Sequence, residues 1–91
     1  MRIAELYQII KDRQNNPTEK SYTASLIDQG IGRVAQKVGE ESSEVMVAAL
    51  MESDQRLIEE IADLTYHVLV LMALREITPQ DIQSELERRR R

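Results

Sequence analysis

Leu64-Thr65-Tyr66-His67-Val68-Leu69-Val70-Leu71-Met72-Ala73-Leu74 is hydrophobic on nearly every side of a helix. A helix of that kind has to be covered all round. A chain of 91 residues offers few covering layers. The stretch therefore implies an all-α domain whose fourth helix, about Gln55–Arg75, packs against a partner subunit. Its longest apolar run, Val68–Leu74, is far too short to cross a bilayer.

The flanking sequence reads as further helices. Ile3, Leu6, Tyr7 and Ile10 form an i, i+3, i+4, i+7 stripe over about Ile3–Arg13. Asn15-Asn16-Pro17 ends it, because proline disfavours helix at the residue before it. After a polar linker, Gln14–Lys20, the hydroxyls of Ser21-Tyr22-Thr23 offer an N-cap for a short second helix that stops before Gly30. Gly30–Gly32 reads as a turn or flexible joint. A long third helix, about Arg33–Met51, follows, and Ser53-Asp54 breaks it and caps the fourth. In Ile77-Thr78-Pro79-Gln80-Asp81-Ile82, Thr78 is an N-cap, Pro79 sits at N1 and Asp81 at N3. The last helix runs to about Arg89. No strand pattern and no repeat is visible. The expected fold is a compact bundle of about four to five helices, a single domain over residues 1–91, completed by dimerisation.

Composition narrows the classes of function. A chain this short buries only about 60–65% of its unfolded surface, which leaves a lone monomer marginal. It has no cysteine, so neither a disulfide nor a thiolate site can support it. The formal net charge of −4 argues against a nucleic-acid binder. Arg88-Arg89-Arg90-Arg91 is basic, but cations at a helix C-terminus suit the macrodipole. Met1–Arg13 is amphipathic and lacks the apolar core of a signal peptide, so a cytoplasmic location without membrane association is expected.

The chemistry lies in two acidic pairs, Glu41/Glu44 and Glu60/Asp63. At about 100° per residue, Val34, Val38, Val45 and Ala48 fall within about 60° of Glu41. Glu44 sits at the edge of that face, and Glu40 points farther out. On the fourth helix, Arg56, Glu60, Asp63 and His67 form a polar stripe beside an apolar face of Leu57, Ile61, Leu64 and Val68. If the third and fourth helices form a hairpin across Glu52–Asp54, Glu44 and Glu60 lie at similar distances from the turn, about 9–12 Å of helical rise, and the pairs can meet. Like charges at 4 Å cost about 1 kcal/mol per pair in water and several-fold more in a drier site. Protons or a cation must offset that. Oxygen ligands without cysteine or paired histidine suit Mg²⁺ or Mn²⁺. The alternative is that the acids are solvated partners of Arg and Lys.

A cation held this way can bind a polyphosphate and activate a water. A free carboxylate can accept the proton, and cations such as Lys37, Arg13, Lys20 or Arg33 can hold the remaining charge. No Gly-rich phosphate loop is present. His67 does not complete the Glu-x-x-His pattern of a redox di-metal bundle. It can serve beside Asp63, contact phosphate, or be a satisfied interface histidine.

Glu40-Glu41-x-x-Glu44, fifteen residues, then Glu60-x-x-Asp63 resembles the signature of the all-α nucleoside-triphosphate pyrophosphohydrolase superfamily, which includes MazG-like enzymes. Leu6-Tyr7 with Arg13, Ser21-Tyr22-Thr23-Ala24-Ser25-Leu26, Gly30, Lys37-Val38-Gly39-Glu40-Glu41 and Ala62-Asp63-Leu64-x-Tyr66-His67 are together similar to the phosphoribosyl-ATP pyrophosphohydrolase family, over about Ile3 to Arg88. Ser42-Ser43 depart mildly, standing where a small residue such as alanine is usual first.

The resemblance implies hydrolysis of phosphoribosyl-ATP to phosphoribosyl-AMP and pyrophosphate, the second step of histidine biosynthesis, by a Mg²⁺-dependent homodimer. It implies Glu41, Glu44, Glu60 and Asp63 as metal ligands, and Glu40 or Glu44 as the acid that orients or deprotonates water. Lys37, Arg13, Ser21, Tyr22, Thr23 and His67 become candidates for binding substrate. The cyclohydrolase fused to some relatives uses cysteine-bound zinc, so only the pyrophosphohydrolase step is expected here. Two rivals stand: a house-cleaning pyrophosphatase acting on non-standard dNTPs, and a helical interaction module with solvated acids.

Overall fold

The computed structural model of the chain describes residues 1–90. Arg91, the last residue of the basic tail, lies outside the described residues. Five α-helices follow in order: α1 Ile3–Asn15, α2 Tyr22–Asp28, α3 Ile31–Met51, α4 Asp54–Leu74 and α5 Pro79–Arg88. No strand occurs among the described residues. The all-α expectation is borne out, with helix boundaries close to those read from the pattern.

Local chemistry explains each boundary. The Ser21 hydroxyl accepts from the Ala24 N–H at 3.1 Å and starts α2, and Ser53 accepts from the Arg56 N–H at 3.2 Å and starts α4. Thr78 and Asp81 form a reciprocal capping box with Pro79 in the first turn of α5. Gly30 takes φ +94 in the α2–α3 turn. Gly32 is already inside α3, so of the expected Gly30–Gly32 joint only Gly30, with Gln29 before it, lies between the helices. The end of α4 carries no glycine. Glu76 adopts φ 56, the Ile77 N–H reaches the Met72 carbonyl at 2.9 Å and the Glu76 N–H reaches that of Ala73 at 3.1 Å. This is a Schellman close on a residue poorly suited to it.

Ile10, Val34 and Val70 are fully buried, and Tyr7, Leu26, Leu69, Met72 and Ala73 complete the core cluster. α3 and α4 are joined by Glu52 and Ser53 alone and pack along their length, so they run antiparallel. α1 and α2 close over the far half of the hairpin, where the all-round apolar part of α4 lies. The Lys11 ammonium sits 3.4 Å from the Ala73 carbonyl, a cation at the C-terminus of α4.

The structure corrects the orientation of α4. The stripe of Glu60 and His67 continues into Val70 and Ala73, and all four are buried. Of the apolar face read from the sequence, Leu57, Leu64 and Val68 are only half-buried and Ile61 is exposed, as is Ile58. Val70 and Ala73 decide this: they lie on the acidic side of the helix and have α1, α2 and α3 to pack against. Met46, Val47, Leu50 and Met51 on α3 are exposed too, Leu50 at 84%. The radius of gyration, 14.2 Å, exceeds the about 12 Å typical of a compact chain of this length.

Glu76→Gly is expected to raise stability by up to about 1 kcal/mol, because glycine accepts the left-handed position without steric cost. Urea unfolding measures it, and a loss of stability would contradict this account of the α4 end.

Candidate metal centre

The hairpin brings three acids together between α3 and α4. Glu41 and Glu60 are each only 6% exposed. One carboxylate oxygen from each of Glu41, Glu60 and Asp63 lies within 4.8 Å of the other two. Asp63 is exposed and opens the group to solvent.

The two buried acids are compensated in the same way. Lys37 Nζ sits 3.3 Å from Glu41 Oε1, and Arg56 Nη2 sits 2.5 Å from Glu60 Oε1. Each cation lies four residues before its acid on the same helix. In both acids the second oxygen, Oε2, is buried with no hydrogen-bond partner. An unpaired buried carboxylate oxygen is costly, since its desolvation is not repaid. Two such atoms beside Asp63 fit a divalent cation. The donor set is all hard oxygen, which suits Mg²⁺, Mn²⁺ or Ca²⁺ rather than a soft metal.

Glu44 stands outside the tight trio, on the exposed edge of α3. The neighbouring carboxyl groups of Glu60 and Glu41, together with partial desolvation, disfavour its charged form and push its pKa from the ordinary 4.5 to about 7. Burial opposes the Lys37 ammonium, but hydrogen bonding and charge from Glu41, helped by Tyr22 and Glu40, outweigh it and raise its pKa.

Glu40 faces outward. Arg33 and Lys37 each lie 3.5 Å from its carboxylate and the Gln36 amide 3.3 Å. His67 is buried with both nitrogens used. Its Nδ1 donates to the Asp63 carbonyl oxygen at 2.7 Å, because a carbonyl can only accept. Its Nε2 then accepts from the Tyr22 hydroxyl at 3.0 Å. The Thr23 hydroxyl pairs with that of Tyr66, whose ring meets His67 edge-on at 5.1 Å. The Ser-Tyr-Thr segment thus docks α2 onto α4: Ser21 caps, Thr23 binds Tyr66, and Tyr22 spans to His67 while its ring stays exposed. Arg13 is paired with Asp12 at 3.0 Å near the end of α1.

Arg56 is the residue to which sequence reasoning assigned no role. It also contacts Glu59 and lies 3.5 Å from Glu52. The available signal was its spacing to Glu60, which repeats that of Lys37 to Glu41. With Ser43, Glu44, Val47, Glu52 and Glu60 it lines an open cleft of about 290 Å³. Ser42 donates to the Val38 carbonyl at 2.8 Å, so the serine pair is absorbed by its own helix.

A folded-state pKa near 7 against 4.5 has a definite consequence. The contribution from Glu44 to stability is fully present below the unfolded value and is lost as pH rises through the folded one. The metal-free protein is expected to lose thermal stability between about pH 4.5 and 7. Glu44→Gln should flatten that part of the profile in melting experiments across the range, and a melting temperature that rises there would contradict the cluster electrostatics.

Comparison with known proteins agrees with this geometry. The family model described as phosphoribosyl-ATP pyrophosphohydrolase matches residues 3–90. A phosphoribosyl-ATP pyrophosphatase of Sulfolobus acidocaldarius is 59% identical over 87 residues, covering 96% of this chain and 92% of that protein. One from Saccharolobus solfataricus is 55% identical over 89 residues, with 98% and 95% covered. One from Clostridium botulinum is 51% identical over 88 residues, with 97% and 80% covered. With a match spanning nearly its whole length, and with the acids of the motif converging between two helices, the chain belongs to the phosphoribosyl-ATP pyrophosphohydrolase family.

Proposed function

We propose that this protein hydrolyses phosphoribosyl-ATP to phosphoribosyl-AMP and pyrophosphate in histidine biosynthesis, with Mg²⁺ held by Glu41, Glu44, Glu60 and Asp63. The observation that carries the reading is the pair of buried, unpartnered Oε2 atoms of Glu41 and Glu60. When bound there, the divalent ion supplies charge neutralisation for the polyphosphate and a more acidic water. Mn²⁺ fits the same oxygens.

The chain's own residues then divide the work. Glu41 and Glu60, fixed by Lys37 and Arg56, provide a rigid anchor. Asp63 and Glu44 form its open rim. Glu44 is favoured over Glu40 as the group that takes a proton from water, because its carboxyl lies beside those of Glu41 and Glu60 whereas Glu40 faces outward to Arg33 and Lys37. Glu40 is tied to Arg33 and Lys37 on the outer side and keeps those cations beside the site. Lys37 is placed to meet phosphate. Tyr22 offers an exposed ring next to the acids, held by His67, for the nucleoside or phosphoribosyl part. Ser21 and Thr23 serve that contact by fastening α2, and Arg13, paired with Asp12, supplies a more distant counter-charge.

None of the described helices is long and apolar enough to cross a membrane. The reading makes the protein a cytoplasmic homodimer with no role for nucleic acid. The dimer is supported by the exposed Ile58 and Ile61 on α4 and by an apolar groove of about 500 Å³ between α1, α4 and α5.

The test is turnover of phosphoribosyl-ATP with Mg²⁺, beside a panel of dNTPs. Hydrolysis of phosphoribosyl-ATP in preference to the panel is expected, and the reverse preference would sink the substrate assignment. Glu60→Gln and Asp63→Asn should each lower kcat/KM by about 100-fold or more, since loss of an outer partner alone weakens a metal site about 10–100-fold. Unchanged turnover in both variants would leave the acids as solvated surface charges. Ile61→Glu is expected to shift the protein from dimer to monomer in sedimentation, and a persistent dimer would remove α4 from the interface.

A further inference from the structure

The two cations that flank the buried acids are not equivalent. Each lies four residues before its carboxylate, Lys37 before Glu41 and Arg56 before Glu60. Because α3 and α4 run antiparallel, that one spacing points in opposite directions along the hairpin. Lys37 is displaced away from the turn and Arg56 towards it. The acids sit between them.

Each end has a different neighbourhood. The end away from the turn carries Tyr22, tied by its hydroxyl to His67, which lies two helical turns past Glu60. Its exposed ring makes angled contacts with Tyr66 and His67 at 6.2 and 6.1 Å. That end suits a base or sugar. The end towards the turn has no aromatic residue. It is the cleft lined by Ser43, Glu44, Val47, Glu52, Arg56 and Glu60. Lys37 is mostly covered, whereas the Arg56 side chain is 51% exposed.

We propose that Arg56 is the contact for the departing pyrophosphate, so that the polyphosphate lies along the hairpin with its nucleoside end at Tyr22 and Lys37. This rests on the substrate reading given above. In the metal-free site Arg56 balances Glu60, Glu59 and Glu52 together. With Glu60 engaged by a divalent ion, Arg56 would no longer be needed to balance it. Its guanidinium, which already lines the cleft, would match two phosphate oxygens as an ammonium cannot. Arg56 therefore distinguishes substrates that end in pyrophosphate from those that end in a single phosphate.

The experiment compares wild type, Arg56→Gln and Arg56→Lys. Binding of inorganic pyrophosphate and of AMP is measured by calorimetry at saturating Mg²⁺, and turnover of phosphoribosyl-ATP is followed in parallel. Arg56→Gln is expected to weaken pyrophosphate about tenfold or more, the usual range for a hydrogen bond to a charged group, with AMP unchanged. Arg56→Lys, which keeps a charge beside Glu60, should fall between. Titration of the metal-free proteins with Mn²⁺ should show Arg56→Gln binding the ion no more weakly than wild type. Equal losses for pyrophosphate and AMP would make Arg56 merely structural and overturn the proposal, as would unaltered pyrophosphate binding. Should Arg56→Gln fail to fold, the same comparison on Arg56→Lys decides. If wild type does not hydrolyse phosphoribosyl-ATP yet pyrophosphate binding still depends on Arg56, the substrate reading fails and the Arg56 contact stands.

Discussion

The repulsion among Glu41, Glu60 and Asp63 is the constraint on which the rest of this structure depends. Three carboxylates with oxygens within 4.8 Å, two of them buried, would drive α3 and α4 apart without compensation. The chain answers in three ways. Lys37 and Arg56 each cover one oxygen of a buried acid. The pKa of Glu44, beside Glu60 and Glu41, is pushed up to about 7, which reduces the negative charge it adds to the cluster. The two remaining Oε2 atoms are left without a partner, a lack that the proposed cation would meet. The hairpin is thus held in a partly neutralised state, and a divalent ion bound as proposed would complete the neutralisation.

The packing follows from that centre. Because the acids occupy the inner side of α4 near the turn, apolar contacts must come from elsewhere. They come from the far half of the hairpin, where α1 and α2 cover Val70 and Ala73. The near half keeps Ile58, Ile61, Leu50 and Met51 at the surface. A protomer whose inner face is given over to carboxylates has little core of its own, which is the physical ground for the second subunit in the proposed reading.

Much of this was legible in the sequence, and the misses have physical causes. Five helices could be read because Ser21, Ser53 and Thr78 are strong caps and Pro17 and Gly30 are strong stops. The convergence of the acids could be read because Glu44 and Glu60 are nearly equidistant from one short turn. The orientation of α4 could not, because periodicity records which residues are apolar and not which neighbour covers them. Val70 and Ala73 pulled the acidic stripe inward, although Ile61 and Leu64 looked like the inner face. The Schellman close at Glu76 was hidden for a similar reason: the hydrogen bonds of the α4 end hold a residue whose type gives no hint of a positive φ. The role of Ser21-Tyr22-Thr23 as a clasp between α2 and α4 needed the positions of Tyr66 and His67, which lie more than forty residues away.

The most direct test of the central claim is a titration of the metal-free protein with Mn²⁺, followed by electron paramagnetic resonance. The wild-type protein should remove free Mn²⁺ from solution saturably, and Mg²⁺ should compete. A double variant, Glu41→Gln with Glu60→Gln, should stay folded and lose that uptake. Saturable binding that survives in the double variant, or no binding by the wild type, would contradict the claim that these two buried carboxylates form the core of a metal centre.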